Sequence, residues 1–302
     1  MGANEKEEAA RGRIVEAVRA GRILVGDGAW GTALYARGLA QGDCPEAWCR
    51  DRPADVRAVA AGYANAGADL VGTNSFGGSR FKLAHYGLAE AVGPINEAAA
   101  RCSREGAGPA RWVTGTVGPT GQMLLMGEVT EADMEAAFAE QIAALLRGGA
   151  DAICVETMSD PDEARLAVRA ARDAGAPEVI CTFTFDRTVR GDYRTLMGTS
   201  PQDAAAAAMD AGADVVGTNC GNGIAGIVEI VAAMREAAGT TPLMAQANAG
   251  LPRAVDGHEV YPDGPDEMAA RLDDLVDAGA RIIGGCCGTT PAHIRAFRRH
   301  FG

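Results

Sequence analysis

Hydrophobic and polar positions alternate along this chain in blocks of two kinds. Short runs rich in Val, Ile and Leu end abruptly in Gly, Thr, Asn, Asp or Cys, and longer Ala-rich stretches separate them. The clearest case is a repeat. AGADLVGTNSF (66–76) closely matches AGADVVGTNCG (211–221), and GGADAICVETM (148–158) and AGARIIGGCCG (278–288) follow the same plan. Each reads as a helix stopping on a small residue and glycine, then a buried strand, then a polar loop. Four further runs complete a set of eight: ILVGDGAWG (23–31), WVTGTVGP (112–119), EVICTFTFD (178–186) and PLMAQANAG (242–250). Between them, stretches such as EADMEAAFAEQIAALLRGG and PDEARLAVRAARDAG read as helices.

Eight strands alternating with eight helices predict an α/β fold, a single (β/α)8 TIM barrel over residues 21–302. An open doubly wound sheet is the alternative, but the even recurrence favours closure. Residues 1–20 are expected to form a helical extension that caps the bottom of the barrel. The polar stretch 186–200 reads as a loop after the fifth strand, where barrel enzymes build their sites.

Composition narrows the function. With 47% hydrophobic and 23% charged residues, the chain reads as a soluble globular protein. A net charge of −12 argues against nucleic-acid binding, which needs a basic surface. No apolar run is long enough to span a bilayer, and the polar start MGANEKEEAARGR is no secretory signal, so a cytoplasmic location is expected. In that setting the eight cysteines suit metal binding or catalysis better than a disulfide framework.

The inferred strand ends concentrate polar chemistry at one mouth: Asp27 to Thr32, Thr73-Asn74, Glu156-Thr157, Thr218-Asn219-Cys220, Asn248, and Gly284 to Thr289. Adjacent Cys286 and Cys287 would point to opposite faces of a regular strand, but the glycines flanking them relax that limit. Thr290-Pro291 reads as a helix start, whose partial positive charge favours thiolate. With Cys220 arriving from the sixth strand, three thiolates would converge to form a zinc site with an open fourth position. Burial as small core residues is the competing reading for the adjacent pair, and a strained vicinal disulfide is a third. Cys154 and Cys181 read as core, Cys44 and Cys49 as loop residues without matching ligands. The four histidines read as surface or hydrogen-bonded residues.

These residues resemble a known family. Over about residues 15–300 the chain is similar to the homocysteine S-methyltransferases, and within them to the homocysteine-binding modules of cobalamin-dependent methionine synthases. The matching stretches are DGAWGT (27–32), GTNSFGGSRFKLAHYGL (72–88), GPTGQML (118–124), ETMSD (156–160), GTNC (217–220), NAGLP (248–252) and GGCCGT (284–289). The resemblance implies that Cys220, Cys286 and Cys287 bind Zn2+ and that Asp27 and Glu156 hold the substrate ammonium. It implies that the backbone from Ala29 to Thr32 receives the carboxylate, and that Asn248 takes the fourth zinc position when substrate is absent. Two positions depart from the usual pattern. Trp30 stands where methionine is usual, and is expected to narrow the mouth or stack against a methyl donor; Ala247 replaces a proline.

The expected activity is therefore zinc-dependent transfer of a methyl group to the thiol of L-homocysteine, giving methionine. Three sulfur ligands leave a bound sulfur electron-rich, which points to alkyl transfer over hydrolysis. The sequence stops at Gly302, so a methylcorrinoid (cobalamin) donor is expected on a separate corrinoid protein. S-methylmethionine or a betaine-type donor is the enzymatic alternative. A nonenzymatic zinc-thiolate or redox-sensing protein is the rival from another class. Outside the resemblance, Asp27 also reads as a turn residue and Glu156 as a salt-bridged strand end.

Overall fold

The structure, a computed structural model, describes residues 12–255 and 258–302. Eight parallel strands run in chain order: β1 (Leu24–Val25), β2 (Leu70–Gly72), β3 (Trp112–Val117), β4 (Ala152–Met158), β5 (Val179–Phe183), β6 (Val215–Asn219), β7 (Leu243–Ala247) and β8 (Ala280–Gly285). From β2 to β8 each strand pairs with its neighbour in sequence, and β8 pairs with β1. The seam between β1 and β2 is joined by the Asp69 amide, which donates to Val25 O at 2.6 Å. Helices follow every strand and pack outside, so the expected single (β/α)8 barrel is the fold.

The AGAD repeat has a local explanation. Gly67 and Gly212 end their helices with φ of 103° and 109°, a left-handed turn that a side chain would strain. The aspartate two residues later then grips the preceding strand. Val25 N, Val113 N and Val179 N donate to the carboxylates of Asp69, Asp151 and Asp214 at 2.8, 2.6 and 2.8 Å. Each aspartate also pairs with an arginine, respectively Arg298, Arg104 and Arg172. The charge pairs lie at the strand starts, away from the mouth.

Strand residues alternate as the pleat requires. Leu24, Ile180, Val215 and Ile282 point into the barrel, where they meet the helix Ile14–Arg19 through Ile14, Val15 and Val18. Val25, Cys181, Val216 and Ile283 point out, against the helical layer. Glu178 tethers the short helix by accepting from the Ile14 and Val15 amides at 2.7 and 2.9 Å. This segment plugs the floor of the barrel and leaves the opposite end open. The rest of the expected extension, residues 1–11, lies outside the described residues.

The stretch expected as a plain loop at 186–200 contains a small antiparallel hairpin, Asp186–Arg187 with Tyr193–Arg194. Its turn closes because Thr188 N donates to Asp192 O at 2.8 Å, and Tyr193 buries its ring beneath Arg187. A second hairpin pairs Arg253–Val255 with His258–Val260 after β7; the His258 side chain lies outside the described residues. No helix among the described residues is long and apolar enough to cross a membrane.

Candidate active site and metal centre

The ends of β1, β6, β7 and β8 are stitched together by main-chain hydrogen bonds. Gly285 N donates to Asp27 O at 2.8 Å, Cys286 N to Ala247 O at 2.8 Å, Cys220 N to Gln246 O at 3.1 Å, and Ala249 N to Cys287 O at 2.9 Å. This lattice bends the end of β8 out of regular strand geometry, so both adjacent cysteines can face one point. Gly288 follows with φ of 80°. Thr290 and Pro291 then open the helix Pro291–Phe301, with Thr290 N donating to His293 Nδ1. Cys220 itself is left-handed, at φ 62°, which turns its side chain toward the other two.

The three sulfurs lie within 4.8 Å of one another, and this is the cysteine cluster among the described residues that could hold a metal ion. Four-coordinate zinc, with Zn–S of about 2.3 Å, requires sulfurs about 3.8 Å apart. Cys220 Sγ and Cys287 Sγ are 3.7 Å apart. Beside them stands Asn248, whose side-chain amide hydrogen-bonds Cys220 while its buried Oδ1 has no partner. Soft donors at tetrahedral spacing with an orphaned oxygen alongside suit a thiophilic divalent ion.

Among the sulfurs themselves, one negative charge is favoured and three are not. Thiol donation from Cys286 and Cys287 holds the Cys220 sulfur well below the ordinary thiol range, while Cys286 and Cys287 are pushed up by their bonds to Cys220 and by burial. A divalent cation would offset the repulsion.

A cavity of about 400 Å³ connects this cluster to Asp27, Trp30 and Glu156. Burial pushes the Asp27 carboxyl up to about 6, opposed by hydrogen bonds from the Gly72 amide and the Trp30 indole. Glu156 is pushed up to about 8, first by burial and then by the charge of Asp27. Two carboxyl groups raised in one enclosure are suited to a cationic ligand. Ala29 and Thr32 line the same cavity. The Ala29 amide donates to Thr289 Oγ1 at 3.2 Å, and Thr32 Oγ1 accepts from Gly288 N.

The structure brings every sequence-chosen site residue to one mouth, and one further cysteine with them. Cys154, read from the sequence as core, is buried in β4 but lines the cavity, and its thiol donates to Glu156 Oε2 at 3.8 Å; Cys181 is buried in β5, and Cys44, Cys49 and Cys102 are buried among the outer helices. His293 is buried and bonded to Thr290 and Asp263, and His300 pairs with Asp273. Sequence reasoning passed over Thr289, which ties the Cys286 carbonyl to the first loop, and Gln246, whose buried Oε1 lacks a partner in the cavity floor. The hydroxyl in GGCCGT is visible in the sequence; its bridging of two loops is not.

Fold and site together define an α/β-barrel protein with a three-cysteine cluster at the strand C-termini. The sequence profile of the homocysteine S-methyltransferases matches residues 24–301, and the chain belongs to that methyltransferase family. It is 34% identical over 289 residues to the methionine synthase of Mycobacterium tuberculosis and 34% identical to that of Mycobacterium leprae. Each alignment covers 91% of this chain but 24% of the relative, so the chain spans about a quarter of the length of those enzymes. The metallated homocysteine methyltransferase MmuM from Escherichia coli superposes with a TM-score of 0.75 at 26% identity, covering 92% of this chain and 96% of that one.

Proposed function

We propose that this protein methylates the thiol of L-homocysteine to give methionine, using zinc held by Cys220, Cys286 and Cys287 and a methyl group delivered by a corrinoid protein. The observation that carries the acceptor half is the shared cavity: a metal-competent sulfur cluster opens into the same space of about 400 Å³ as two carboxyl groups. An amino acid with a terminal thiol has the matching ends.

Zinc at this site would supply replacement of the thiol proton, leaving the substrate sulfur nucleophilic at neutral pH. Asp27 and Glu156 receive the ammonium group, and its positive charge offsets the burial and the Asp27 repulsion that raise Glu156. The backbone of Ala29 to Thr32 faces the carboxylate from the first turn of the helix Trp30–Tyr35, with Ala29 N shared with Thr289. Asn248, whose buried Oδ1 has no partner, would help hold the metal when substrate is absent. The thiol proton is lost to solvent when the sulfur is held as thiolate, so no protein side chain needs to act as general base; the S–C bond then forms as the donor's bond to the methyl carbon breaks, its electron pair staying on the donor.

The donor assignment rests on the rim of the mouth. Phe76, Met123, Leu125, Met126, Leu196 and Leu251 are exposed, and all lie on loops that follow the C-terminal ends of strands. Apolar residues gathered around an active-site mouth suit a protein partner. The alternative is a small donor such as S-methylmethionine or a betaine. Turnover assays with homocysteine and each donor separate the two. Methylation supported by a methylcorrinoid protein is expected, and S-methylmethionine turnover matching or exceeding it overturns the donor assignment. Tight zinc binding with no response to homocysteine would instead favour a nonenzymatic zinc-thiolate protein.

A further inference from the structure

We propose that Trp30 is a positioning residue for the substrate ammonium group, acting by fixing the carboxylate of Asp27. The inference rests on the reading of Asp27 given above. Two hydrogen bonds from other residues orient this carboxylate, and they fall on one oxygen: Asp27 Oδ2 accepts from Gly72 N at 2.7 Å and from Trp30 Nε1 at 2.9 Å. The donors belong to different elements, β2 and the helix Trp30–Tyr35, so they hold the carboxylate from two sides. Oδ1 takes neither bond.

Two further features fit this arrangement. The Trp30 ring is half-buried against the core and lines the cavity, so its N–H is held in place by packing. At position 72, a Cβ would lie 3.3 Å from both Trp30 Nε1 and Asp27 Oδ2. Glycine there leaves room for donor and acceptor to meet. With Oδ2 committed twice, the carboxylate presents its other oxygen to a ligand without first breaking a bond. Phenylalanine or methionine at position 30 would fill much of the space but donate nothing.

The test compares two ligands by calorimetry on zinc-loaded protein. L-homocysteine carries the ammonium group, and 4-mercaptobutyrate is the same thiol acid without it. Trp30→Phe is expected to weaken homocysteine about tenfold, the scale of a lost hydrogen bond to a charged group, while leaving 4-mercaptobutyrate within about twofold. Equal weakening of both ligands, or of neither, overturns the proposal, since a packing role does not distinguish them. Trp30→Met is measured alongside and carries the same expectation should the phenylalanine variant not fold. Asp27→Asn separates the two levels of the argument. If it leaves the preference for homocysteine intact, the Asp27 reading fails; if it removes the preference and the Trp30 variants do not, only the role of Trp30 fails.

Discussion

Asn219 clamps Thr157 across the barrel mouth: its Oδ1 accepts from the Thr157 amide at 2.9 Å, and its Nδ2 donates to Thr157 Oγ1 at 2.7 Å. Thr157 is left-handed, with φ of 60°, a conformation that a β-branched residue adopts only when its surroundings enforce it. The same Oδ1 accepts from Thr182 Oγ1 at 2.7 Å. Asn219 therefore fixes the bulged turn of backbone after Glu156, within β4, to the strand that delivers Cys220. It does so by hydrogen bonding alone.

Asn219→Ala removes those bonds and leaves the strained turn unsupported. We expect the variant to unfold at lower urea, with a loss of about 2–3 kcal/mol, and to retain less zinc after dialysis. Urea denaturation and metal analysis measure the two effects. Unchanged values for both would mean that the turn holds itself.

The sulfur cluster makes a prediction that separates ligands from spectators. Cys220→Ala, Cys286→Ala and Cys287→Ala should each lose most of the bound zinc and nearly all activity, because two thiolates cannot hold an open catalytic site against solvent. Cys102→Ala, in the buried outer layer, should keep full zinc content. Full occupancy in any of the first three variants would remove that cysteine from the ligand set.

Stability should depend on pH through Glu156. In the unfolded chain this carboxyl loses its proton near 4.5, while in the fold it holds the proton to about 8. Between those values the folded state binds more protons, so its stability falls as pH rises and levels off above the upper limit. Glu156→Gln cannot ionise. The stability of metal-stripped wild type relative to this variant should therefore decline from pH 5 to pH 8. A flat difference, read from urea unfolding at each pH, would show that Glu156 ionises freely in the fold.

The repeat makes a structural prediction. Asp214 accepts from Val179 N and pairs with Arg172, so Asp214→Ala should cost about 2 kcal/mol of stability. Its position at the strand starts, away from the mouth, means that kcat and KM for homocysteine should stay near wild type. Thermal unfolding and steady-state kinetics together test that division.

The sequence by itself determined the barrel and the identity of the chemistry. Helix stops at Gly67 and Gly212, β-branched runs and polar strand ends are short-range signals, and short-range sterics set them. Cys286 and Cys287 could be singled out because their glycine neighbours lie beside them in the chain. The hairpin at 186–194 escaped this reading, since its strands are two residues long and too short to show a period. Tertiary structure decided which groups meet. Trp30 and Gly72 share Asp27, Asn219 reaches Thr157, and Thr289 joins the first and last loops only because closing the barrel brings distant strand ends within hydrogen-bond range. Closure also placed Asp27 and Glu156 in one enclosure, where burial raises both carboxyl groups and the charge of Asp27 raises Glu156 further. Residue type supplies a carboxylate; only its surroundings decide when that carboxylate is charged.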